Sequence, residues 1–403
     1  MFIALLGAVL GFMHLYLWQR LIKDTTRRGR TRWILTAALV ALIALLFAAL
    51  ILPRIVGVAG STWLSWPGYL WFGLVGYLFL TLLVLEPVRL VLRGWAKRRP
   101  SEVSSAPAPV VDESLTLSLQ VDRRLFLARA GAAAAGAASL GIVGFGAATA
   151  LGPPDILRLP VRLRGLDAAF SGFRIGVVSD IHLGPLTGRA QIERIVRMIN
   201  EEAPDLVAIV GDLVDGTVEE LGPAAEPLRD LHSREGTFFV TGNHEYFVPD
   251  TMSWLLELDR LGVHTLRNEN TVIRRGSASF NVAGVNDVTG GRHSDPPDFD
   301  RALSGLSSTV PTVLLAHQPI QVSEAAVHGV DLQLSGHTHG GQMWPFHYIV
   351  RAVAPSLSGL SVVDDTQLYV TRGAGFWGPP VRVGAPPDIT VISLEPGSPA
   401  AAV

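Results

Sequence analysis

Residues 173–182 read Phe-Arg-Ile-Gly-Val-Val-Ser-Asp-Ile-His, an apolar run that ends in Asp180 and His182. The run has the composition of a buried β-strand. Asp180 and His182 are two positions apart, so in an extended chain their side chains leave the same face and can meet one ion. Loops at strand ends, held by a rigid scaffold, are where open α/β sheets place their chemistry.

The same arrangement recurs four times further along the chain. Each further motif follows an apolar run, and in chain order they are Gly211-Asp212-Leu213-Val214-Asp215, Gly242-Asn243-His244-Glu245, His317, and Gly336-His337-Thr338-His339. Together the motifs supply carboxylates, imidazoles and one carboxamide, and the chain contains no cysteine. This ligand set suits a pair of divalent metal ions. Asp212 follows a buried run and could bridge both ions through its two oxygens.

The second half of the chain predicts short strands that alternate with amphipathic helices. Strands are predicted over 173–179, 205–210, 237–241, 280–285, 312–316, 332–334, 368–371 and 389–394. Ile192, Ile195, Val196 and Ile199 share one face of a predicted helix, and a second helix is predicted over 252–261. Strand–helix alternation followed by consecutive strands predicts layered sheets with outer helices.

The first half of the chain predicts membrane helices. Hydrophobic residues make up 49% of the sequence, and the mean hydropathy is +0.36. The apolar runs 1–19, 33–52 and 68–92 are each close to the roughly 20 residues that cross a bilayer as a helix. We therefore predict three transmembrane helices within residues 1–99. The alternative for the last two runs, a buried core helix, is disfavoured because few polar residues interrupt them.

The basic residues orient these helices. They concentrate after the first run, at Arg20, Lys23, Arg27, Arg28, Arg30 and Arg32, and after the third, at Arg93, Lys97, Arg98 and Arg99. The connection 53–67 contains a single basic residue, Arg54. Basic connections stay in the cytoplasm, so residues 53–67 and the N-terminus are predicted to lie outside. The run 1–19 lacks a basic leader, which argues against a cleaved signal peptide there.

The stretch between the two halves predicts a linker and an export element. Residues 100–121 are rich in Ser, Pro, Ala and Val and predict a cytoplasmic linker. Residues 122–150 begin Asp-Arg-Arg-Leu-Phe-Leu and continue as a mild apolar run, which resembles a twin-arginine signal with a possible cleavage site at Ala148-Thr149-Ala150. The alternative is a fourth transmembrane helix with arginines at its cytoplasmic end. Both interpretations place residues 151–403 outside the cytoplasm.

The five motifs in this order resemble the calcineurin-like metallophosphoesterases, over about residues 157–395. The block Gly-His-Thr-His-Gly-Gly-Gln at 336–342 is similar to the membrane-anchored or exported branch of that family. The resemblance implies that residues 151–403 form a four-layer αββα sandwich that binds two divalent metal ions. The implied ligands of one ion are Asp180, His182, Asp212 and His339, and those of the other are Asp212, Asn243, His317 and His337.

The resemblance also implies roles for two residues that are not metal ligands. His244 would stabilise the transition state or protonate the leaving oxygen, and Asp215 would orient His244. Mn, Fe and Zn all suit the nitrogen and oxygen ligands.

The leading functional hypothesis is hydrolysis of a phosphomonoester, phosphodiester or pyrophosphate at the outer membrane surface. Residues 151–157 can span at most ~25 Å, so a lipid or cell-envelope substrate is favoured. One alternative is a UDP-2,3-diacylglucosamine-type pyrophosphate hydrolase, whose cytoplasmic substrate conflicts with the predicted topology. Another is a catalytically silent metal-binding scaffold, which a missing ligand would indicate. The net charge of −2 gives no case for nucleic acid, and no obligate protein partner is evident.

Overall fold

The computed structural model describes residues 2–97 and 113–398. The chain forms two compact units. The helical unit contains residues 1–52 and 63–145, and the catalytic unit contains residues 53–62 and 146–403.

Four long helices occupy the first half of the chain. They are α1 (Phe2–Leu17), α2 (Arg30–Ile51), α3 (Pro53–Lys97) and α4 (Glu113–Leu151), and a π-helix over Trp18–Lys23 continues α1. Three stretches are long and apolar enough to cross a membrane by length and composition, namely Arg30–Ile51, Gly60–Leu92 and Arg123–Leu151. The run 1–19 forms the 16-residue α1, and its crossing of the membrane stays a prediction. So does the export role of Arg123 and Arg124, which lie within α4.

Two predicted connections differ from the structure. Residues 53–67 are helical as part of α3, and the backbone leaves helical geometry only at Gly57, where φ is 81°. Proline is compatible with the first turn of a helix, so Pro53 does not prevent helix formation there. The predicted linker spans residues 100–121. Its first part, residues 100–112, lies outside the described residues, and its second part, residues 113–121, belongs to α4. Residues 113–121 contain neither proline nor glycine, so nothing in them breaks the helix.

The catalytic unit contains twelve strands and six further helices among its described residues. The strands are β1 (Asp155–Leu163), β2 (Phe173–Val178), β3 (Leu206–Val210), β4 (Thr237–Val240), β5 (Val263–Thr265), β6 (Glu269–Arg275), β7 (Ala278–Gly284), β8 (Thr312–Leu315), β9 (Leu332–Ser335), β10 (Gly359–Val363), β11 (Thr366–Val370) and β12 (Asp388–Pro396). The helices are α5 (Arg189–Glu201), α6 (Val218–Ala225), α7 (Thr251–Arg260), α8 (Phe299–Leu303), α9 (Val322–Val327) and α10 (His347–Val353). All eight predicted strands and both predicted helices are present, and the structure adds β1, β5, β6 and β10.

The strands form two six-stranded sheets. The first has the order β1-β12-β2-β3-β4-β5 and the second β10-β11-β9-β8-β7-β6. Strands β2 to β5 run parallel to one another, as do β7, β8 and β9, whereas β2 is antiparallel to β12 and β7 is antiparallel to β6. The predicted motifs follow parallel strands of both sheets. Asp180, Asp212 and Asn243 come two or three residues after β2, β3 and β4, and His317 and His337 come two residues after β8 and β9.

Side chains that alternate along the strands define the layers. Along β3, Ala208 and Val210 belong to the core between the two sheets, whereas Val207 and Ile209 belong to the core beneath the outer helices. The inter-sheet core includes Phe170, Phe173 and Phe280, whose ring centroids lie 4.9–5.8 Å apart. Helices α5 and α7 cover the first sheet, and α8 and α9 cover the second. This arrangement confirms the predicted four-layer αββα sandwich.

The start of α3 belongs to the catalytic unit. The backbone N–H of Val58 donates to Glu220 Oε1 at 2.8 Å, and the Val58 side chain is buried in the core beneath α5, α6 and α7. Residues 53–62 therefore pack against the loop and helix that follow Asp215.

Candidate metal centre

Five of the seven predicted ligands have left-handed backbone conformations. The φ angles are 52° at Asp180, 50° at His182, 52° at Asp212, 71° at His337 and 52° at His339. Non-glycine residues rarely adopt such angles, since each costs about 1–3 kcal/mol and persists only where the surrounding structure enforces it. Clustered strain of this kind is characteristic of functional sites.

The first predicted ligand set converges on one point. His182 Nε2 lies 3.0 Å from His339 Nε2, which lies 3.2 Å from Asp180 Oδ1. His182 Nε2 is also 4.0 Å from Asp180 Oδ1 and 3.9 Å from Asp212 Oδ2. All four side chains are buried. Two imidazole nitrogens and two carboxylate oxygens therefore face a common centre, as ligands of one ion would.

The second predicted set meets the first at Asp212. Asp212 Oδ2, the oxygen that faces His182, lies 3.2 Å from His317 Nε2. Possible ligand atoms of Asp212, His317 and His337 all lie within 4.8 Å of one another. Asn243 precedes His244, whose backbone N–H donates to Asp212 Oδ1 at 2.8 Å. One oxygen of Asp212 is thus placed to serve both ligand sets.

Two buried atoms in the second set lack hydrogen-bond partners among the described residues. They are Asn243 Oδ1 and His317 Nε2. His317 Nδ1 lies 2.7 Å from the carbonyl oxygen of Val210, which fixes Nδ1 as the protonated nitrogen and leaves a lone pair on Nε2. Buried acceptors without partners are unfavourable, and a cation would satisfy both. The residues present therefore fit divalent metal ions.

Asp215 contacts two imidazoles. Its Oδ1 accepts a hydrogen bond from His244 Nδ1, as the predicted orienting role requires, and its Oδ2 lies 3.3 Å from His182 Nδ1. Burial by itself lowers the pKa of His244, but the carboxylates of Asp212 and Asp215 outweigh burial and raise the pKa to about 9. Two bound cations would oppose that rise. The hydrogen bond to Asp215 places His244 where it can carry a proton at the edge of the metal site.

Asp212 itself is held ionised by its neighbours. Burial by itself would raise the pKa of Asp212, but His317, His244 and His182 hold it well below its usual value. The carboxylate is thus in the form that a bridging metal ligand needs.

Glu245 is a site residue to which sequence reasoning assigned no role. It is completely buried, and its Oε2 accepts from the backbone N–H groups of Asp212 at 3.0 Å and Gly242 at 2.6 Å. Its Oε1 accepts from Leu213 at 2.8 Å and Val214 at 3.3 Å. One carboxylate therefore clamps the loops after β3 and β4. Burial and the charge of Asp212 raise the pKa of Glu245 to about 7.

Arg382 is a second residue that sequence reasoning missed. It is fully buried and donates to the carbonyl oxygens of His339 at 3.0 Å and Arg372 at 2.8 Å, while its Nη2 lies 3.2 Å from His339 Nδ1. The loop it holds donates a backbone hydrogen bond from Gly375 to the carbonyl oxygen of Asp180 at 2.9 Å. Burial lowers the pKa of Arg382 to about 10. The only local signal for Arg382 in the sequence is its place between Pro379-Pro380 and Gly384.

Two half-exposed aromatic side chains flank His244. The ring centroids of Phe247 and Trp377 lie 5.0 Å and 6.3 Å from that of His244. Trp377 is held by Gln342, whose Oε1 accepts from the Trp377 backbone N–H at 3.0 Å and whose Nε2 donates to the Trp377 carbonyl at 2.9 Å. The rim beside His244 is therefore apolar and aromatic.

Known proteins resemble this chain over the region that carries the predicted ligands. The family model for calcineurin-like phosphoesterases matches residues 173–341. The chain is 31% identical over 288 residues to the protein named "Uncharacterized metallophosphoesterase YkuE" from Bacillus subtilis. The aligned region covers 68% of this chain and 98% of that protein. It is 37% identical over 260 residues to a "Transmembrane protein with metallophosphoesterase domain" from Danio rerio. The aligned region covers 62% of this chain and 60% of that protein.

The chain belongs to the calcineurin-like metallophosphoesterase family, which confirms the predicted resemblance. A protein named "Uncharacterized metallophosphoesterase" from Helicobacter pylori is 39% identical over 251 residues. The chain spans 60% of the length of the Danio rerio relative and 65% of the Helicobacter pylori relative.

Metal content tests the two ligand sets. The wild-type chain is expected to bind two metal ions. Asp212→Ala should lose both, because one Asp212 oxygen faces both sets. His244→Ala should keep both ions and lose most turnover, because His244 is assigned to proton transfer. Elemental analysis of full-length protein loaded with Mn, Fe or Zn measures this. A single ion in the wild type, or loss of metal in His244→Ala, would contradict the assignment.

Glu245→Gln tests the carboxylate clamp. The substitution keeps the shape but turns one acceptor oxygen into an NH2 group that faces backbone N–H donors. We expect metal affinity to fall by about 10–100-fold, since the loops that carry Asp212 and Asn243 lose a common anchor. The matched control is Glu193→Gln, an exposed glutamate on α5. Equal metal affinity of Glu245→Gln and the control, measured by competition with a chelator, would rule the clamp out.

Proposed function

We propose that this metallophosphoesterase uses two divalent ions to hydrolyse a phosphomonoester, phosphodiester or pyrophosphate of a lipid or cell-envelope compound at the extracytoplasmic membrane surface. The observation that carries the proposal is the shared oxygen of Asp212, which faces both ligand sets next to the His244–Asp215 pair. The His244–Asp215 pair beside the predicted metal ligands argues against a silent scaffold, which would need no group for proton transfer.

Each polar residue of the site then has a role. Asp180, His182, Asp212 and His339 would hold one ion, and Asp212, Asn243, His317 and His337 the other. When bound, the two ions would supply Lewis acidity at the phosphoryl oxygens and lower the pKa of a water molecule. Asp215 holds His244 in the orientation from which its proton can reach the leaving oxygen. Mn, Fe and Zn all suit the ligands.

Two observations support the extracytoplasmic side. The basic residues lie in the first and third connections, so residues 53–67 are assigned to the outside. Residues 53–62 belong to the same compact unit as residues 146–403, and Val58 donates to Glu220 within it. These contacts support placing the metal ligands on the same side of the membrane as residues 53–62.

The substrate class follows from the tether and the rim. Helix α4 ends at Leu151 and β1 begins at Asp155, so only residues 152–154 join the last candidate span to the first strand. A tether of three residues reaches at most ~11 Å, which keeps the strand end near the membrane. The aromatic rim of Phe247 and Trp377 suits an apolar group next to the phosphate. These features favour substrates that are themselves held at the membrane surface.

A paired-substrate assay tests the lipid assignment. Full-length protein in lipid vesicles is given a lipid phosphate and a soluble ester with the same leaving group. We expect kcat/KM for the lipid to exceed that for the soluble ester by at least about 10-fold, because both reactants occupy the same surface. The Asp212→Ala variant supplies the inactive control. Equal or faster cleavage of the soluble ester would defeat the lipid assignment and leave the metallophosphoesterase class intact.

Reporter fusions test the topology. Fusions after residue 160 should be active only with an exported reporter, and fusions near residue 105 only with a cytoplasmic one. Replacing Arg123-Arg124 with Lys-Lys should block export if the twin-arginine route is used. The reverse pattern of reporter activity would overturn the topology. Unchanged export of the Lys-Lys variant would leave α4 as an ordinary transmembrane helix.

A further inference from the structure

An exposed apolar segment follows the predicted metal ligands His337 and His339. Residues 344–353, termed here the aromatic segment, comprise α10 and the three residues that precede it. Its large apolar side chains are 52–76% exposed, and they are Trp344, Phe346, Tyr348, Ile349 and Val353. No residue of α10 is buried against the rest of the described chain. Contiguous exposed apolar surface of this kind marks an interaction site.

The aromatic segment begins beside the last candidate membrane span. The Trp344 N–H donates to the carbonyl oxygen of Val383 at 2.9 Å, and the Arg382 N–H donates to the carbonyl oxygen of Gly146 at 2.8 Å. Gly146 lies in the part of α4 that belongs to the catalytic unit. A side chain at Gly146 would come within 2.6 Å of Val381 and 2.8 Å of Val383, so glycine permits this close approach. The segment therefore starts where the candidate span Arg123–Leu151 joins the catalytic unit.

We propose that the aromatic segment docks into the interfacial layer of the lipid bilayer that α4 crosses. Trp and Tyr combine an apolar ring with a polar tip and favour the headgroup level of a membrane. Arg351 lies on the same short helix and can reach lipid phosphates while its aliphatic stem covers apolar surface. A seven-residue helix with exposed apolar side chains is long enough to lie in the plane of the interface.

The bilayer is favoured over a protein partner by this continuity with α4. The end of the candidate span is joined to the start of the segment by the backbone hydrogen bonds of Arg382 and Trp344, which places lipid beside the segment in every molecule. A partner or a second copy would have to be recruited. These other occupants are outcomes of the test below.

Docking of the aromatic segment deepens the proposed function, on which this step rests. The segment follows Gln342, whose side chain holds Trp377 at the rim beside His244. His339, a predicted ligand, precedes Gln342 by three residues. A docked segment therefore brings the aromatic rim to the level of the lipid headgroups, where a lipid-borne phosphate can enter without leaving the bilayer.

Single-cysteine labelling tests the docking. The chain contains no cysteine, so Ile349→Cys and Val353→Cys each give one labelled site in the full-length protein. A polarity-sensitive fluorophore is attached, and the protein is reconstituted in phosphatidylcholine–phosphatidylglycerol vesicles that contain a nitroxide-labelled lipid. The matched control is Val327→Cys on α9, which is 80% exposed. We expect blue-shifted emission and at least about threefold stronger quenching by the nitroxide lipid at positions 349 and 353 than at 327.

Two results would overturn the docking. One is water-like emission at positions 349 and 353, with quenching by the nitroxide lipid no greater than at 327. The other is protection of both labels from aqueous iodide and from the nitroxide lipid, which would indicate a protein contact instead.

Charge variants then separate this inference from the substrate proposal. Ile349→Glu and Val353→Glu should lower hydrolysis of a lipid phosphate in vesicles at least about fivefold and leave hydrolysis of a soluble ester unchanged, since neither residue belongs to the metal site. Lipid-quenched labels without any lipid phosphatase activity would support docking and defeat the substrate class. Equal loss on both substrates would contradict the proposed route from the bilayer to the site.

Discussion

The metal centre depends on keeping several buried carboxylates and imidazoles within a few ångströms of one another on left-handed backbone. Five predicted ligands have φ angles of 50–71°. Such strain persists only when surrounding contacts over-determine the backbone. In the first ligand set, His182 Nε2 and His339 Nε2 lie 3.0 Å apart, a spacing that a shared cation stabilises better than the protein alone. The rest of the domain can be understood as the structure that holds these groups in place.

Two buried ionisable residues hold the loops from opposite sides. Glu245 accepts backbone N–H groups from the loops after β3 and β4, so the carboxylate of Asp212 and the amide of Asn243 move as one unit. Arg382 donates to carbonyl oxygens around His339 and in the loop that contacts Asp180. The carboxylate of Glu245 therefore accepts hydrogen bonds from backbone N–H groups, and the guanidinium of Arg382 donates hydrogen bonds to backbone carbonyl groups. Each satisfies backbone groups that left-handed loops leave without strand or helix partners.

This division explains what the sequence could predict. Apolar runs followed by Asp180, Asp212, Asn243, His317 and His337 are local signals, and the strands they predict are present with the motifs at their carboxyl ends. Strands such as β5, of three residues, and β10, at a sheet edge, lack the burial that produces a clear pattern. The roles of Glu245 and Arg382 depend on partners about 30 and 43 residues away, including Asp212 and His339. No local pattern encodes such pairings, so only the folded chain reveals them.

The covalent order of the chain links the site to the aromatic segment. His339, Gln342 and Trp344 lie within six consecutive residues, and Gln342 is the side chain that fixes Trp377 beside His244. A force on the aromatic segment is therefore transmitted through Gln342 to the rim of the site. Short, strained connections transmit displacement because packed interiors have little freedom to absorb it. If the segment docks as proposed, its position and that of the rim beside His244 are coupled through Gln342, which accords with the proposed membrane-borne substrate.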